Sequence, residues 1–490
     1  MQWFIRRGAL LCFLVLAYGC GGGGSDGAAT SVLPVSPQPN ISAFTPASGP
    51  VDTVVTLTGS GFTGSTAAWV GAAHNAGLTV VSDTEADVTV PAGALTGLIA
   101  IVNPVGTAST ASAFTVTAGP VVAGIRVQGN ELIDASGQVV QLRGMNYSGF
   151  EFVAIQGWSP DDPSGAQAGQ SGGPNWAAIS GWHANVIRLP LNEASWLGYS
   201  CTDTDGVVHN PDPGGNYRSA IATQVAQANA AGIYVVLVLH WAAPGTACPM
   251  LQTQMADADH SLDFWTSVAN TYKSNPAVMF CLFNEPFFNF EFSGEDDWSY
   301  LMFGTGGSFT GYPATSNRGT WQTVKKPWKV ASYQEMIDTV RATGATNVVL
   351  IGGMDYASNF SGWLAHKPHD PLDQMAVSWH AYPTYGAPFG TYAASQPNHA
   401  PEVFTEILAI RAAGTPVVVS ESGGQNSPGT VGAALSATIT AFADANDISY
   451  LAWAWDVWDL PDNVLIKDVN GTPTDGYGVF VRNWMINHAP

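Results

Sequence analysis

Eight short apolar runs alternate with helix-like segments from about Pro120 onward, and this alternation commits most of the chain to a parallel α/β architecture. The runs are Val140–Tyr147, Asn185–Leu191, Ile233–Trp241, Ala277–Glu285, Asn347–Gly353, Met375–Tyr382, Pro416–Glu421 and Ile448–Trp455. Amphipathic stretches lie between them, among them Tyr217–Ala231, Ser261–Lys273, Ser332–Thr343, Pro401–Ala413 and Val431–Asn446. No glycine-rich phosphate loop follows the first run, and several runs close on a polar residue. Both features favour a closed (β/α)8 TIM barrel over an open doubly wound sheet.

At 490 residues the chain has room for that barrel, placed at 121–490, and for a smaller companion. The companion is all β. From Ile41 to residue 118, short β-branched runs such as Thr53–Thr58, Ala86–Val90 and Gly97–Val102 alternate with Gly, Pro and Asp turns at sandwich spacing. The string Ile41-Ser-Ala-Phe-Thr-Pro-Ala-Ser-Gly-Pro50, followed by Val55-Thr-Leu-Thr-Gly-Ser-Gly-Phe62, resembles the IPT/TIG immunoglobulin-like domain. Its one tryptophan, Trp69, is assigned to the core.

The amino terminus reads as a signal peptide over residues 1–19: basic Arg6-Arg7, the apolar run Ala9–Ala17, then small residues. The run is shorter than the roughly 20 residues a bilayer requires. Cys20 follows Gly19 and opens a Gly/Ser-rich tether to residue 40, an arrangement that resembles a bacterial lipoprotein cleavage site. The expected location is therefore secreted or, through a lipid on Cys20, at the cell surface or outer membrane. Cys201 and Cys248 lie in loops after strands, where they stand either as a bridge or as two thiols, whereas Cys281 sits in an apolar strand as an inert core thiol.

Charge narrows the partners. Lys plus Arg number 16 against 37 Asp plus Glu, a net of −21, which excludes the basic footprint of a nucleic-acid binder. With 17 Trp, 15 Tyr and 21 Phe, the chain carries more flat apolar faces than a core usually consumes, and such faces hold sugar rings.

Polar residues close six of the runs: Arg188, His240-Trp241, Asn284-Glu285, His380 with Tyr382, Glu421, and Trp453 with Trp455. Ionisable side chains beside apolar runs cost several kcal/mol unless paired or used, and a barrel builds its active site from these strand ends. Glu285 and Glu421, on the fourth and seventh strands, stand across the mouth as cleavage of a glycosidic bond requires. At a separation of about 5 Å the mechanism is retaining: Glu285 serves as acid and then base, and Glu421 as nucleophile. Arg188 would keep Glu421 ionised, Tyr382 would hydrogen-bond it, and Asn284 would hold the sugar 2-hydroxyl. Burial and the Glu421 charge would hold the proton on Glu285.

The motifs Ile187-Arg-Leu-Pro190, Leu239-His-Trp241, Asn284-Glu-Pro286, His380-Ala-Tyr382, Glu421 and the Trp453 strand, in this order, resemble glycoside hydrolase family 5, the old cellulase family A. The likeness runs from about Gly124 to Asn487. It implies an acid/base at Glu285, a nucleophile at Glu421, and supporting groups at Arg188, His240, Asn284, His380, Tyr382 and Trp453. It implies no metal and no cofactor, a β-glucan or β-mannan substrate, and a monomer. Strand alternation would place Trp453 and Trp455 on one face, with Trp453 the sugar platform. Ser420-Glu421-Ser422 departs from the Gly-Glu-Phe/Tyr-Gly of many members but leaves the carboxylate in place.

Other polar and aromatic residues receive blander assignments. Glu193, Glu291 and Glu295 fall in loops as solvated or substrate-adjacent acids, and His183, His209, His260, His366 and His369 as loop or surface residues. Trp158, Trp196, Trp241 and Trp298 are placed to line sugar subsites. The leading activity is that of an endo-β-1,4-glucanase; a β-mannanase or other β-glucanase, and a catalytically dead sugar-binding barrel, are the alternatives.

Overall fold

The computed structural model describes residues 37–488 apart from 51–52, 72, 92–93, 118–121, 152–173, 213–214, 289–291, 295, 317–318, 383–401, 424–430 and 458–463. The chain divides near residue 117 into two compact units.

The first unit carries a seven-stranded sheet in which Asn40–Thr45, Val54–Ser60, Glu85–Thr89, Ala73–Ser82, Ala67–Val70, Ile99–Asn103 and Gly106–Ser109 neighbour one another in that order. Alternation sends Val55, Leu57, Ala68, Val70, Val88, Ile99 and Ile101 into one core with Phe62 and Phe114. Trp69 is not among them. It sits between Ala68 and Val70 and therefore takes the opposite, partly exposed face, which corrects its assignment to the core.

The second unit is a closed barrel of eight parallel strands. They are β1 (Arg143–Asn146), β2 (Val186–Asn192), β3 (Tyr234–Trp241), β4 (Val278–Cys281), β5 (Val349–Gly352), β6 (Met375–Ala381), β7 (Val417–Ser422) and β8 (Ser449–Ala452). Every apolar run yields one strand, and β8 closes the ring against β1 with Arg143 opposite Tyr450. The strands are buried on both faces, as parallel strands are, so they read as continuous Val/Ile/Leu runs. Ile187, Leu189, Val235, Leu237, Val377 and Val419 pack outward against helices such as Tyr217–Ala230, Ser261–Tyr272 and Tyr333–Ala342. Val186, Val236, Val238, Met279, Leu350, Ala376, Val418 and Leu451 fill the barrel, with Ile125, Val127 and Leu132 of the hairpin Ile125–Gln128/Glu131–Asp134. Tyr333–Ala342 starts with a capping box: Ser332 Oγ accepts from the Glu335 amide while the Glu335 carboxylate accepts from the Ser332 amide.

Segments without a clear period also fold. The stretch Phe287–Lys329 contains the helix Asp297–Phe303 and the hairpin Tyr312–Thr315/Trp321–Val324. The short helices Trp176–Gly181 and Glu193–Leu197 and the terminal helix Tyr477–Asn487 complete the layer.

Cys201 and Cys248 form a disulfide across 47 residues of chain, and Cys281 is buried. A bridge over a loop of that length restricts the unfolded chain by about 4 kcal/mol in the loop-entropy account. The paired variant Cys201→Ser/Cys248→Ser is therefore expected to unfold at lower urea than the oxidised protein, and at the same urea as the protein treated with dithiothreitol. A midpoint unmoved by both treatments would remove the bridge from the stability account.

Candidate active site

Inside the barrel each strand changes character along its length. The interior residues run from Val186 to Arg188, from Val236 and Val238 to His240, from Ala376 through Ser378 to His380, and from Val418 to Ser420. Apolar side chains fill the lower layers and polar ones gather at the carboxyl ends, so a polar cluster forms above a dry core.

Two register shifts aim the key side chains. Between β6 and β7, Trp379 pairs with Val419 and His380 with Glu421, so Ser420 is an extra residue that brings Glu421 beside His380. Ser420 is satisfied separately, its hydroxyl lying 2.6 Å from that of Ser378. Between β2 and β3, Leu191 pairs with Leu239 and Asn192 with Trp241, which makes His240 the extra residue.

Arg188 organises the cluster although it is wholly buried. Its Nη1 donates to Glu421 Oε1 at 2.5 Å and to Asn146 Oδ1 at 2.9 Å, and its Nη2 donates to Asn284 Oδ1 at 2.7 Å. Asn146 in turn donates to the carbonyls of Ser420 and Ala452, tying β1 to β7 and β8. Tyr382 OH donates to Glu421 Oε2 at 3.1 Å. His380 Nδ1 lies 2.7 Å from Glu285 Oε1 and 3.4 Å from Glu421 Oε2. Oxygens of Glu285 and Glu421 and a nitrogen of His380 all fall within 4.8 Å of one another.

Burial and neighbouring charge give the two carboxyls different characters. Burial pushes Glu285 up to about 7, against the pull of Arg188. Burial also raises Glu421, opposed by His380 and Arg188 and reinforced by repulsion from Glu285. A guanidinium does not lose its proton, and a protonated Glu421 would leave Arg188 as an uncompensated buried cation, so the 2.5 Å contact is an ion pair at neutral pH. Burial holds His380 down at about 4 and His240 well below its ordinary value, so both imidazoles are neutral.

Residues 133–458 match the family model Cellulase (glycosyl hydrolase family 5), and residues 39–117 match the IPT/TIG domain. The chain belongs to glycosyl hydrolase family 5. Family relatives include Endoglucanase 5 of Pectobacterium carotovorum subsp. carotovorum, 21% identical over 338 residues that cover 67% of this chain and 50% of the relative. An endoglucanase of Paenibacillus polymyxa is 27% identical over 197 residues, 39% of this chain and 44% of the relative. The chain thus spans about half the length of the curated relatives it matches. Among solved structures, a β-glucanase from Saccharophagus degradans shares the fold at 22% identity with a TM-score of 0.51, over 76% of this chain and 96% of that one.

The barrel brings together all eight residues that the family-5 motifs single out. Trp453 stacks on His240 at 5.9 Å between ring centroids, at the wall of the cluster. Trp455 does not share its face. β8 ends at Ala452, so strand alternation does not carry on through these residues, and Trp455 is buried against Trp182 at 4.8 Å.

Other assignments change. Glu193 is no solvated loop acid: it opens the helix Glu193–Leu197, is wholly buried, and accepts from Ala243 N, Ser261 Oγ and Tyr199 OH at 2.9, 2.8 and 3.1 Å. Burial and the neighbouring Asp257 push its carboxyl well up. Trp196 is buried against Phe264 and lines no subsite. Trp298 stacks on His366, and His260 on Tyr199, so both histidines are half-buried. Glu291, Glu295 and Trp158 lie outside the described residues.

Three features beside the cluster escaped the strand-end pattern. Asn146 closes the first run, but only the folded ring reveals that it touches Arg188. Glu151 is buried in the turn after β1, where Ser148 Oγ and Gly149 N donate to it, and burial lifts it to about 7. Tyr356, 43% exposed, stacks on Phe287 at 4.8 Å, and its amide donates to the Pro286 carbonyl. Residues Asp355, Tyr356 and Ala357 all have positive φ, a costly conformation for side-chain-bearing residues that local bonds must enforce.

Among the described residues two groups set three metal-ligating atoms close together: Glu285, His380 and Glu421, and Glu193, Asp257 and His260. In both, the carboxyls are already engaged by hydrogen-bonding groups of the protein.

Proposed function

We propose that this protein is a retaining, endo-acting hydrolase of β-1,4-glucan that works by double displacement. The observation that carries the reading is the pair of carboxyls with oxygens within 4.8 Å, which fits the roughly 5–5.5 Å of retaining enzymes and not the 6.5–9.5 Å that inversion needs for an intervening water. Glu421, ionised and held by Arg188 and Tyr382, attacks the anomeric carbon. Glu285 protonates the departing glycosidic oxygen. Once Glu421 is esterified its charge is gone, and Arg188 then draws the Glu285 carboxyl down in pKa, so that Glu285 takes a proton from the incoming water.

His380, neutral and bonded to Glu285, fixes the orientation of that carboxyl without adding a competing charge. Asn284 keeps one N–H for the sugar 2-hydroxyl, and Trp453 offers a ring face to the sugar. Tyr356 and Phe287 place a second aromatic face next to the Asn284-Glu285-Pro286 turn. The endoglucanase names of the relatives, and the β-glucanase from Saccharophagus degradans solved with cellotetraose, favour glucan over mannan.

The enzyme acts outside the cytoplasm as a monomer. The Cys201–Cys248 bridge belongs to an oxidising compartment, and the leader and Cys20 that would direct or anchor the chain lie outside the described residues. No helix among the described residues is long and apolar enough to cross a membrane.

Release of reducing ends from carboxymethylcellulose, mixed-linkage β-glucan, mannan and xylan tests the reading. Carboxymethylcellulose is expected to give the highest rate with a rapid fall in viscosity. Release from mannan alone would transfer the proposal to a mannanase, and no release from any of the four would end it.

A further inference from the structure

Gln252 lies in the segment after β3, and its side-chain amide reaches two consecutive residues of the site. Its Nε2 donates to the main-chain carbonyl of Glu285 at 2.8 Å, and its Oε1 accepts from Asn284 Nδ2 at 3.0 Å. The segment holding it is pinned on both sides. Thr253 Oγ1 donates to the Ala242 carbonyl at 3.0 Å, and the Phe287 amide donates to the Gln254 carbonyl at 3.0 Å. Just upstream, Asn192 Nδ2 donates to the Pro249 carbonyl at 2.8 Å, and Cys248 is bonded to Cys201. Gln252 therefore has a fixed base from which to hold its neighbours.

A primary amide offers one oxygen and two N–H groups. In Asn284 the oxygen is taken by Arg188 Nη2 at 2.7 Å and one N–H by Gln252. The terminal amide torsion is soft when only one end is held. Contacts at both ends define its plane, and the remaining N–H, which has no partner among the described residues, then has a single direction.

We propose that Gln252 is a positioning residue that locks the plane of the Asn284 amide, so that the free N–H meets the 2-hydroxyl of the sugar under attack. The same side chain anchors the backbone of Glu285. This inference rests on the retaining-hydrolase reading. A contact to the 2-hydroxyl strengthens in the transition state, so a loosened Asn284 lowers kcat and leaves KM largely alone.

The test uses the full chain, 2,4-dinitrophenyl β-cellobioside, and the same substrate lacking the 2-hydroxyl on the sugar next to the leaving group. With Gln252→Leu, kcat on the parent substrate is expected to fall on the order of 10- to 100-fold, with KM within about threefold of wild type. On the 2-deoxy substrate variant and wild type should turn over at similar rates. Gln252→Glu keeps an acceptor for Asn284 and, while protonated, a donor for the Glu285 carbonyl, so at a pH that keeps it protonated it is expected to recover most of the 2-hydroxyl-dependent loss; it also serves where Gln252→Leu fails to fold. Equal losses on both substrates, no loss on either, or no recovery in Gln252→Glu would overturn the assignment. Glu421→Ala, assayed alongside, separates the two levels: full activity there sinks the double-displacement reading with Glu421 as nucleophile, whereas an inactive Glu421→Ala beside a Gln252 variant blind to the 2-hydroxyl sinks only this inference.

Discussion

Glu421→Ala is expected to reduce turnover of a β-glucan on the order of 10⁵-fold, the scale of removing an essential nucleophile. Among the described residues nothing near Glu421 can replace it: Tyr382 is a donor to it, His380 is neutral and bonded to Glu285, and Ser420 is engaged by Ser378. Sodium azide, added with an activated aryl β-cellobioside, should occupy the vacated face and restore turnover, giving an α-glycosyl azide. A β-azide product would assign Glu421 the acid/base role. The variant also leaves Arg188 buried without its carboxylate, a change that costs about 3–5 kcal/mol, so its melting curve must accompany the kinetics. Glu421→Gln, which keeps an acceptor for Arg188, should be as inactive but more stable.

The acid/base variant Glu285→Ala should behave differently. On cellulose oligosaccharides, whose leaving group needs a proton, the rate should fall about 10²- to 10⁴-fold. On 2,4-dinitrophenyl cellobioside, formation of the glycosyl-enzyme needs no acid and should stay fast, followed by slow hydrolysis that azide accelerates with a β-azide product. The pH dependence has a definite sign. Glu285 titrates at about 7 and works as an acid only while protonated, so wild-type kcat/KM on glucan should decline as pH rises through about 7. Glu421 must be ionised, so the acidic limb marks its titration, above the ordinary carboxylate value because burial raises it. In Glu285→Ala on the dinitrophenyl substrate the basic limb should vanish and the acidic limb remain. A basic limb that persists would move the acid role away from Glu285.

The barrel was legible because parallel strands covered on both faces must be apolar along their whole length, which turns each one into a contiguous run ending where the polar layer begins. Arg188, Glu285, His380 and Glu421 stood out for the same reason: each is an ionisable group that would be costly at the end of an apolar run unless used. Residues outside that pattern were not legible. Glu193 follows β2 and looks like any loop acid; only the folded chain brings Ser261 and the Ala243 amide to it. Trp455 was misplaced because alternation was extended past Ala452, where the strand has ended. Gln252 and Tyr356 lie in irregular segments, and their importance comes from contacts with Asn284, Glu285 and Pro286 made between the ends of neighbouring strands. Sequence period carries no information about such encounters.

Asn146 spans the seam where the last strand meets the first, with one amide linked to β7, β8 and Arg188 together. The proposed nucleophile and its arginine are thereby tied to the closure of the ring. Were β8 undocked, Asn146 would lose its bond to the Ala452 carbonyl, and the amide that braces Arg188 would be held by β7 alone. On the proposed mechanism, hydrolysis is expected to gain its full rate only when the last strand docks, so an unfinished chain should be slow towards any glucan it meets.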